Sequence, residues 1–504
     1  MFEKLINKFS SINSIKITKK SNKKILLVDR GRFYQAYLSL TLAKSLNDKF
    51  NYEPIVLLDA NIGKKLKYFY KSYGIENFDY IKFYKKFYFF LPTIFLFIKT
   101  IFQIKKKGIH WFIDNFSVKQ ILVGPSIWDY YIRHDLSFLK RNLNFKLSKV
   151  IFITILKVLY LDNYLNKNSF KSIIVNSNSY VSNSSLLLKI ALQKKINVYY
   201  QTISDLHKLV KKNQVNANTL DIKTSKIKNL YKKKAEISKI NLYLKKRFEG
   251  KFYNDNILDN KQLVSAYRKK TINTIKNFNY FLKKKKININ SYKNIFLFAP
   301  HCFSDSNHAF GKFIFSDFFD QFYKTIEFIK KDSDNFWIVK SHPHSKKYGE
   351  EIFFKNYLNK IKKKNLLFIG NESNISTKCL LEFSDLVITT GGTIGLESAC
   401  VGKKSLTTNK TYYSEYGLTY NPNNQKEYFE NIINFKKEKL KKNSIYLAKK
   451  LLYWSTVGRG FDVYSPKNDK VKNNPEKLLF DFIKNKENFN TINLNYIKNI
   501  KKYL

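Results

Sequence analysis

At 504 residues the chain is too long for one ordinary core and suits two α/β domains with extensions. Hydrophobic residues make up 44% and aromatics 16%, which excludes a disordered chain. Lys+Arg 92 against Asp+Glu 38 leaves a formal charge of +54, an excess that points to an anionic partner: nucleic acid, acidic lipid or a phosphorylated substrate. The lysines are spread along the whole chain and no basic run accompanies a nucleic-acid motif, so the charge reads chiefly as compositional drift and nucleic acid is not expected as a partner.

Residues 1–24 are polar and lysine-rich, without the apolar core of a signal peptide. The three cysteines, Cys302, Cys379 and Cys400, have no metal-ligand spacing. Both observations predict a reducing, cytoplasmic location and argue against structural zinc or a disulfide framework.

The first apolar run, 25–28, ends in Asp29-Arg30-Gly31 and leads into a helical pattern over 34–46; a second run, 54–58, ends at Asp59. This strand, helix, strand unit is the usual opening of a nucleotide- or sugar-binding α/β domain. The most apolar segment, 87–104, is interrupted by Pro92 and Lys99, and its longest uncharged run, 87–98, is short for a bilayer span. Lys85, Lys86, Lys105, Lys106 and Lys107 flank it. Two readings stay open: a helix lying in the headgroup region of an acidic membrane, or a helix buried in the first domain. Neither makes the chain an integral membrane protein. Further strands are expected at 120–123, 172–175 and 197–200.

From 202 to about 290 the chain is polar and lysine-rich, and reads as peripheral helices joining two halves. The expected division is 1–290, an acceptor-side α/β domain with a helical extension; 291–440, a nucleotide-sugar-binding domain; and 441–504, a helical tail with loops around Gly458 and Pro466. In the second half strands are expected at 294–299, 336–340, 366–369, 386–389 and 404–407, with helices between them. A parallel, doubly wound sheet accommodates that alternation.

Ligands of open α/β sheets bind beyond the carboxyl ends of the strands. There the sequence places His301-Cys302-Phe303-Ser304-Asp305, then Ser341-His342-Pro343-His344, then Thr390-Gly391-Gly392-Thr393. Gly391 and Gly392 let the backbone approach a ligand, with Thr393 expected to cap a helix whose dipole favours phosphate. Glu397, one turn on, is placed to accept from ribose hydroxyls. Lys340 offsets charge on a leaving phosphate, and His342 binds a phosphate or base edge. His301, His308 and Asp305 lack the further ligands of a metal site and read as substrate or phosphate contacts. Asp332-Ser333-Asp334 falls between helix and strand and reads as a connecting turn.

Phe298-Ala299-Pro300-His301 with Ser304-Asp305, the strand Trp337 to Lys340 running into His342-Pro343, and Thr389 through Glu397 together resemble the capsule polysaccharide biosynthesis family, bacterial transferases of the GT-B fold. Gly402-Lys403 and Tyr413 through Gly417 also fit, and the likeness covers about 294–428. In the first half, Gly124-Pro125-Ser126-Ile127-Trp128-Asp129-Tyr130-Tyr131-Ile132-Arg133 is similar to an acceptor-domain motif of related surface-carbohydrate proteins, as is Tyr180 with Leu188, Ala191 and Leu192.

The resemblance implies two Rossmann-like domains facing a central cleft, and a nucleotide-sugar donor, with family members using CMP-activated Kdo. It implies a saccharide or lipid-linked acceptor, and no metal or cofactor beyond the donor. Carried over, His342 contacts the nucleotide phosphate, Thr393 and the neighbouring amides hold it, and Glu397 binds the ribose. Asp129, Asp305 and His301 are the candidate catalytic groups, with Asp29 and His134 as further candidates for the base. Competing readings are a CDP-glycerol-type polyol-phosphate transferase, a nucleotide-sugar epimerase and a basic nucleic-acid-binding protein.

Overall fold

The structure is a computed structural model, and it describes residues 1–29, 31–59, 63–82, 87–133, 137–177, 179–201, 206–209, 231–248, 270–310, 314–456, 463–466, 469–472 and 474–503. Arg30, Lys85, Lys86, His134 and Gly458 lie outside the described residues. The chain forms two compact units: Met1–Tyr131 with Asn142–Ala217 and Arg459–Leu504, and Ile132–Arg141 with Asn218–Gly458.

In the first unit, β1 (Lys24–Val28), β2 (Glu53–Asp59) and β3 (Phe78–Ile81) are followed by a hairpin of β4 (Ser117–Val118) and β5 (Ile121–Leu122), then by β6 (Phe170–Val175), β7 (Asn197–Gln201) and β8 (Leu206–Leu209). The sheet order is β3-β2-β1-β6-β7-β8, parallel throughout except for β8. Continuous apolar runs suit parallel strands covered on both faces, and β1 buries Ile25 through Val28. The expected strand at 120–123 is instead half of the separate hairpin, because Lys119 and Gln120 both take positive φ and turn the chain back at once.

Helices α1 (Phe2–Ile12), α2 (Phe33–Phe50), α3 (Lys64–Lys71), α4 (Phe90–Asn115), α5 (Gly124–Ile132), α6 (Phe145–Lys167) and α7 (Asn183–Gln193) accompany these strands. Neither Pro92 nor Lys99 interrupts α4. Pro92 sits in the first turn, where a missing N–H costs no helical bond, and Lys99 is exposed. The run Phe87–Asn115, kinked at Gly108 where φ is 82° and ψ 171°, is long and apolar enough to cross a membrane by length and composition, contrary to the short span read from the sequence, and its most apolar stretch is only 22% buried. At the start of α5, a Cβ on Gly124 would lie 2.2 Å from the Phe112 carbonyl oxygen, so only glycine fits there.

The second unit contains β9 (Ile295–Ala299), β10 (Phe336–Lys340), β11 (Leu366–Ile369), β12 (Leu386–Thr389), β13 (Ser405–Thr407) and β14 (Thr419–Tyr420), ordered β11-β10-β9-β12-β13-β14 and wholly parallel. This is a doubly wound, Rossmann-like order, and its direction reverses between β9 and β12. Its helices are α8 (Ile237–Phe248), α9 (Ile275–Lys284), α10 (Phe318–Lys331), α11 (Glu350–Asn359), α12 (Thr377–Phe383), α13 (Thr393–Cys400), α14 (Gln425–Ile433) and α15 (Lys442–Thr456).

The unit boundaries differ from those expected at 290 and 440. Helix α8 buries Ile240, Leu244 and Phe248 in the core of the second sheet, although its sequence reads as a peripheral segment. The last helices, α16 (Pro475–Lys484) and α17 (Lys486–Tyr503), do not form a free tail: Leu478, Leu479, Phe482, Phe489, Tyr496, Ile497 and Ile500 join the core of the first unit. The Tyr37 hydroxyl donates to Asn493 Oδ1 at 2.6 Å within that core.

Candidate functional site

Strand register sets the site in the second unit. Val339 pairs with Phe298, Thr389 with Ala299 and Lys340 with Ile369, so the carboxyl ends of β9, β10, β11 and β12 lie along one edge. The loops after β9 and β12 flank the point where strand order reverses.

After β9, the His301 ring lies tilted 4.8 Å from Phe318 and 4.6 Å from His342, centroid to centroid. The backbone N–H groups of Phe303 and Ser304 donate to Glu350 at 3.0 and 2.8 Å, which pins the loop to the start of α11. Burial pushes the Glu350 carboxyl up to about 7 against these hydrogen bonds. Asp305 is half-buried and accepts from Arg133 Nη1 at 3.2 Å; Arg133 also donates to the Tyr348 hydroxyl at 3.1 Å and lies over its ring.

After β10, His342 Nδ1 accepts from the His344 backbone N–H at 3.2 Å and faces Cys302 Sγ at 3.1 Å. Accepting at Nδ1 assigns the ring proton to Nε2, which is left as a donor. Burial, then the neighbouring His301, His344, Lys340 and Arg247, holds His342 well below the usual imidazole range. Burial likewise lowers His301, and with Lys347 it brings His344 down to about 4. All three rings are therefore neutral near pH 7. Burial raises the Cys302 thiol well above its ordinary range, so it is no nucleophile.

A cavity with about 550 Å³ of space, part of it open to solvent, adjoins these loops. Arg247, Lys270 and Lys340 line it together with Pro343, Gly370, Asn371 and Ser373. Burial and the nearby Lys270 bring Lys340 down to about 8, and burial lowers Lys270 as well. Lys270 Nζ donates to the Ser373 carbonyl at 2.6 Å. The Asn371 side chain is buried, yet neither its Oδ1 nor its Nδ2 has a hydrogen-bond partner, and His344 Nε2 is in the same state. The unpaired buried amide of Asn371 beside three cations matches a place where anionic, hydrogen-bonding ligand atoms sit.

After β12, Gly392 caps α13, not Thr393; Thr393 is the first helical residue, and no side chain caps this end. The Tyr413 hydroxyl donates to the Gly392 carbonyl at 2.7 Å and holds the turn. A Cβ on Gly395 would lie 2.6 Å from that hydroxyl and 2.9 Å from Ser405 Oγ, so the helix packs on β13 only with glycine there. Glu397 is 1% exposed and forms an ion pair with Arg247 Nε. The carboxylate expected as a ribose contact thus orients the guanidinium of the cavity.

Lys340, His342, Gly391, Gly392, Thr393 and Glu397, with His301 and Asp305, share this unit and edge. Asp129 does not. It is 1% exposed in the first unit, where its charge opposes the burial that brings Lys189 down to about 8. Asp29 is buried too, accepting from the Tyr70 hydroxyl and the Gly31 backbone N–H, each at 2.9 Å. His308 Nε2 lies 3.0 Å from the Ser316 carbonyl. Among the described residues no group of three His, Cys, Asp or Glu side chains gathers as metal ligands. Asp332 accepts from Trp337 Nε1 at 2.7 Å and from Asn335 in the connecting turn. Sequence reasoning missed Arg247, Lys270, Asn371 and Glu350. A signal existed for Arg247: only seven of the 92 basic residues are arginines.

Residues 191–452 match the family model described as capsule polysaccharide biosynthesis protein. No curated protein matches the chain. Solved structures similar to it include a UDP-GlcNAc 2-epimerase from Neisseria meningitidis (13% identity, 86% of this chain and 98% of that one, TM-score 0.25). Two others are the KpsC beta Kdo 2,4 transferase of Thermosulfurimonas dismutans (13%, 56% and 79%, 0.27) and a glycosyltransferase from Rickettsia africae (13%, 96% and 99%, 0.24). Identities and TM-scores this low carry no functional argument. The family model stands on different ground, because it spans more than half the chain and takes in every residue of the cavity and its three loops: the chain belongs to the capsule polysaccharide biosynthesis family.

Proposed function

We propose that the chain is a glycosyltransferase that moves a sugar from a nucleotide-activated donor, a CMP-activated sugar of the Kdo type, to a growing surface polysaccharide. The observation that carries this reading is the convergence of Arg247, Lys270 and Lys340, from separate elements, on one cavity at the carboxyl edge of a Rossmann-like sheet. Glu397 answers the charge of Arg247, but desolvated Lys270 and Lys340 are costly unless an anion joins them, and a nucleotide phosphate supplies that charge. In this reading the cations bind the leaving phosphate, His342 donates from Nε2, and the first turn of α13 adds its dipole. Glu397 keeps Arg247 aimed while sharing its free acceptor capacity with ribose hydroxyls. Of the groups read as catalytic, neutral His301, beside Asp305, adjoins His342 at this edge, and in this reading it transfers the proton. No step uses a metal, so transfer persists in chelator.

Calorimetric titration with CMP, UDP and CDP, followed by product analysis with labelled donors, tests the proposal. CMP is expected to bind, and an acceptor-dependent glycosidic product to form. Binding of no nucleotide overturns the reading. Donor isomerised without acceptor makes the chain an epimerase, and a phosphodiester product makes it a polyol-phosphate transferase.

A further inference from the structure

We infer that the outward face of α4 lies in the plane of an acidic phospholipid surface, with its aromatic and aliphatic side chains at the headgroup–acyl boundary. The face is a stripe at helical spacing: Leu91 is 78% exposed and Phe102 69%, with Phe95 and Ile98 exposed between them, and Phe87 in the 3-10 turn that leads into the helix is 83% exposed. The inward face carries Thr93 and Thr100, both buried, each closing its hydroxyl on a carbonyl one turn back at 2.7 Å. Phe90 and Phe97 pack on Phe152 of α6 at 5.5 and 5.6 Å. A surface helix in water turns its apolar stripe inward. Helix α4 buries Ile104, Ile109 and Phe112 in that way but carries a second apolar stripe on its outer side, which fits an apolar medium there.

Charge selects the occupant. Lys99, Lys105, Lys106 and Lys107 are all exposed, and the first acidic residue after Phe87 is Asp114. Lipid phosphates complement that array. A second copy meeting the same face about a two-fold axis brings lysines against lysines. Because the other face packs on α6, the helix lies along a bilayer rather than through it.

Flotation of the full-length protein with vesicles of phosphatidylcholine alone, or with one part in three phosphatidylglycerol, tests this. Binding is expected only with the anionic lipid, falling in high salt. Lys105→Gln with Lys106→Gln should weaken it by about fivefold per lysine. Leu91→Glu with Phe95→Glu should abolish it at an unchanged melting temperature, since both side chains are exposed. Four outcomes overturn the inference: no vesicle binding by the parent, equal binding to both vesicle types, parent-like binding by the Glu variant, or resistance of the bound protein to carbonate extraction. A parent dimer that the Glu variant dissolves, without vesicle binding, assigns the face to self-association instead.

Discussion

Arginine is scarce in this lysine-dominated chain, and three of the four described arginines, Arg133, Arg141 and Arg247, pair with carboxylates that are half-buried or fully buried. A planar guanidinium holds its charge and geometry where an ammonium sheds its proton, so lysine would be a poor substitute at these positions. Lys340 shows the contrast, lying near 8. Nucleotide affinity should fall as pH rises from 7.5 to 9, by at most tenfold per unit once Lys340 loses its proton, while a monoester phosphate stays fully ionised. In the absence of ligand the sign is opposite for stability. Between about 8 and 10.5 the folded chain holds fewer protons than the unfolded one, so Lys340 adds stability as pH rises through that window. Lys340→Met is expected to flatten the affinity profile and leave the melting temperature near neutral pH unchanged or higher. Glu397→Gln should lower both affinity and melting temperature, because a guanidinium paired with a buried carboxylate loses its counter-charge. Calorimetry and thermal melts on the same preparations separate the two; a pH-independent affinity in the parent rules out a working Lys340.

At the scale of elements, the turn after β12 depends on packing behind it rather than on its own residues. Gly395 brings α13 onto Ser405 and Tyr413, and Tyr413 then holds the Gly392 carbonyl. Gly395→Ala should cost about 1–3 kcal/mol through overpacking and weaken nucleotide binding as the turn shifts. Adding Tyr413→Phe removes the nearer clash, so the double variant should lie well above the sum of the single losses in melting temperature. Strict additivity would show that the close approach is not the source of the cost. Gly391, Gly392 and Glu397 were readable as a strand-end motif because the motif is local. The partner of Glu397 was not, since Arg247 lies 150 residues earlier in a helix whose sequence resembles a solvated lysine-rich connection.

At the scale of the whole molecule, each unit builds its own core, and the first is closed by the end of the chain. A truncation after Asn474 removes seven buried side chains from Leu478 to Ile500, and it breaks the Tyr37–Asn493 and Gln201–Tyr496 hydrogen bonds. Buried Leu, Ile and Phe side chains are each worth about 1.5–3 kcal/mol, so the loss is comparable to the whole stability of an ordinary domain. The truncated chain is expected to lose the first unit's melting transition; an unchanged melt would show that the terminal helices are dispensable. The amino-acid sequence by itself determined the α/β class, nearly all the central strands and the strand-end residues of the second sheet, because hydrophobic periodicity and turn chemistry act over a few residues. Only the tertiary structure decided that 237–248 belongs to the second core and 475–503 to the first, that α4 leaves an apolar stripe exposed, and that Arg247, Lys270 and Lys340 share a cavity. Each of those facts depends on which surfaces meet across long stretches of chain, and amphipathic periodicity states that a face exists without naming its partner.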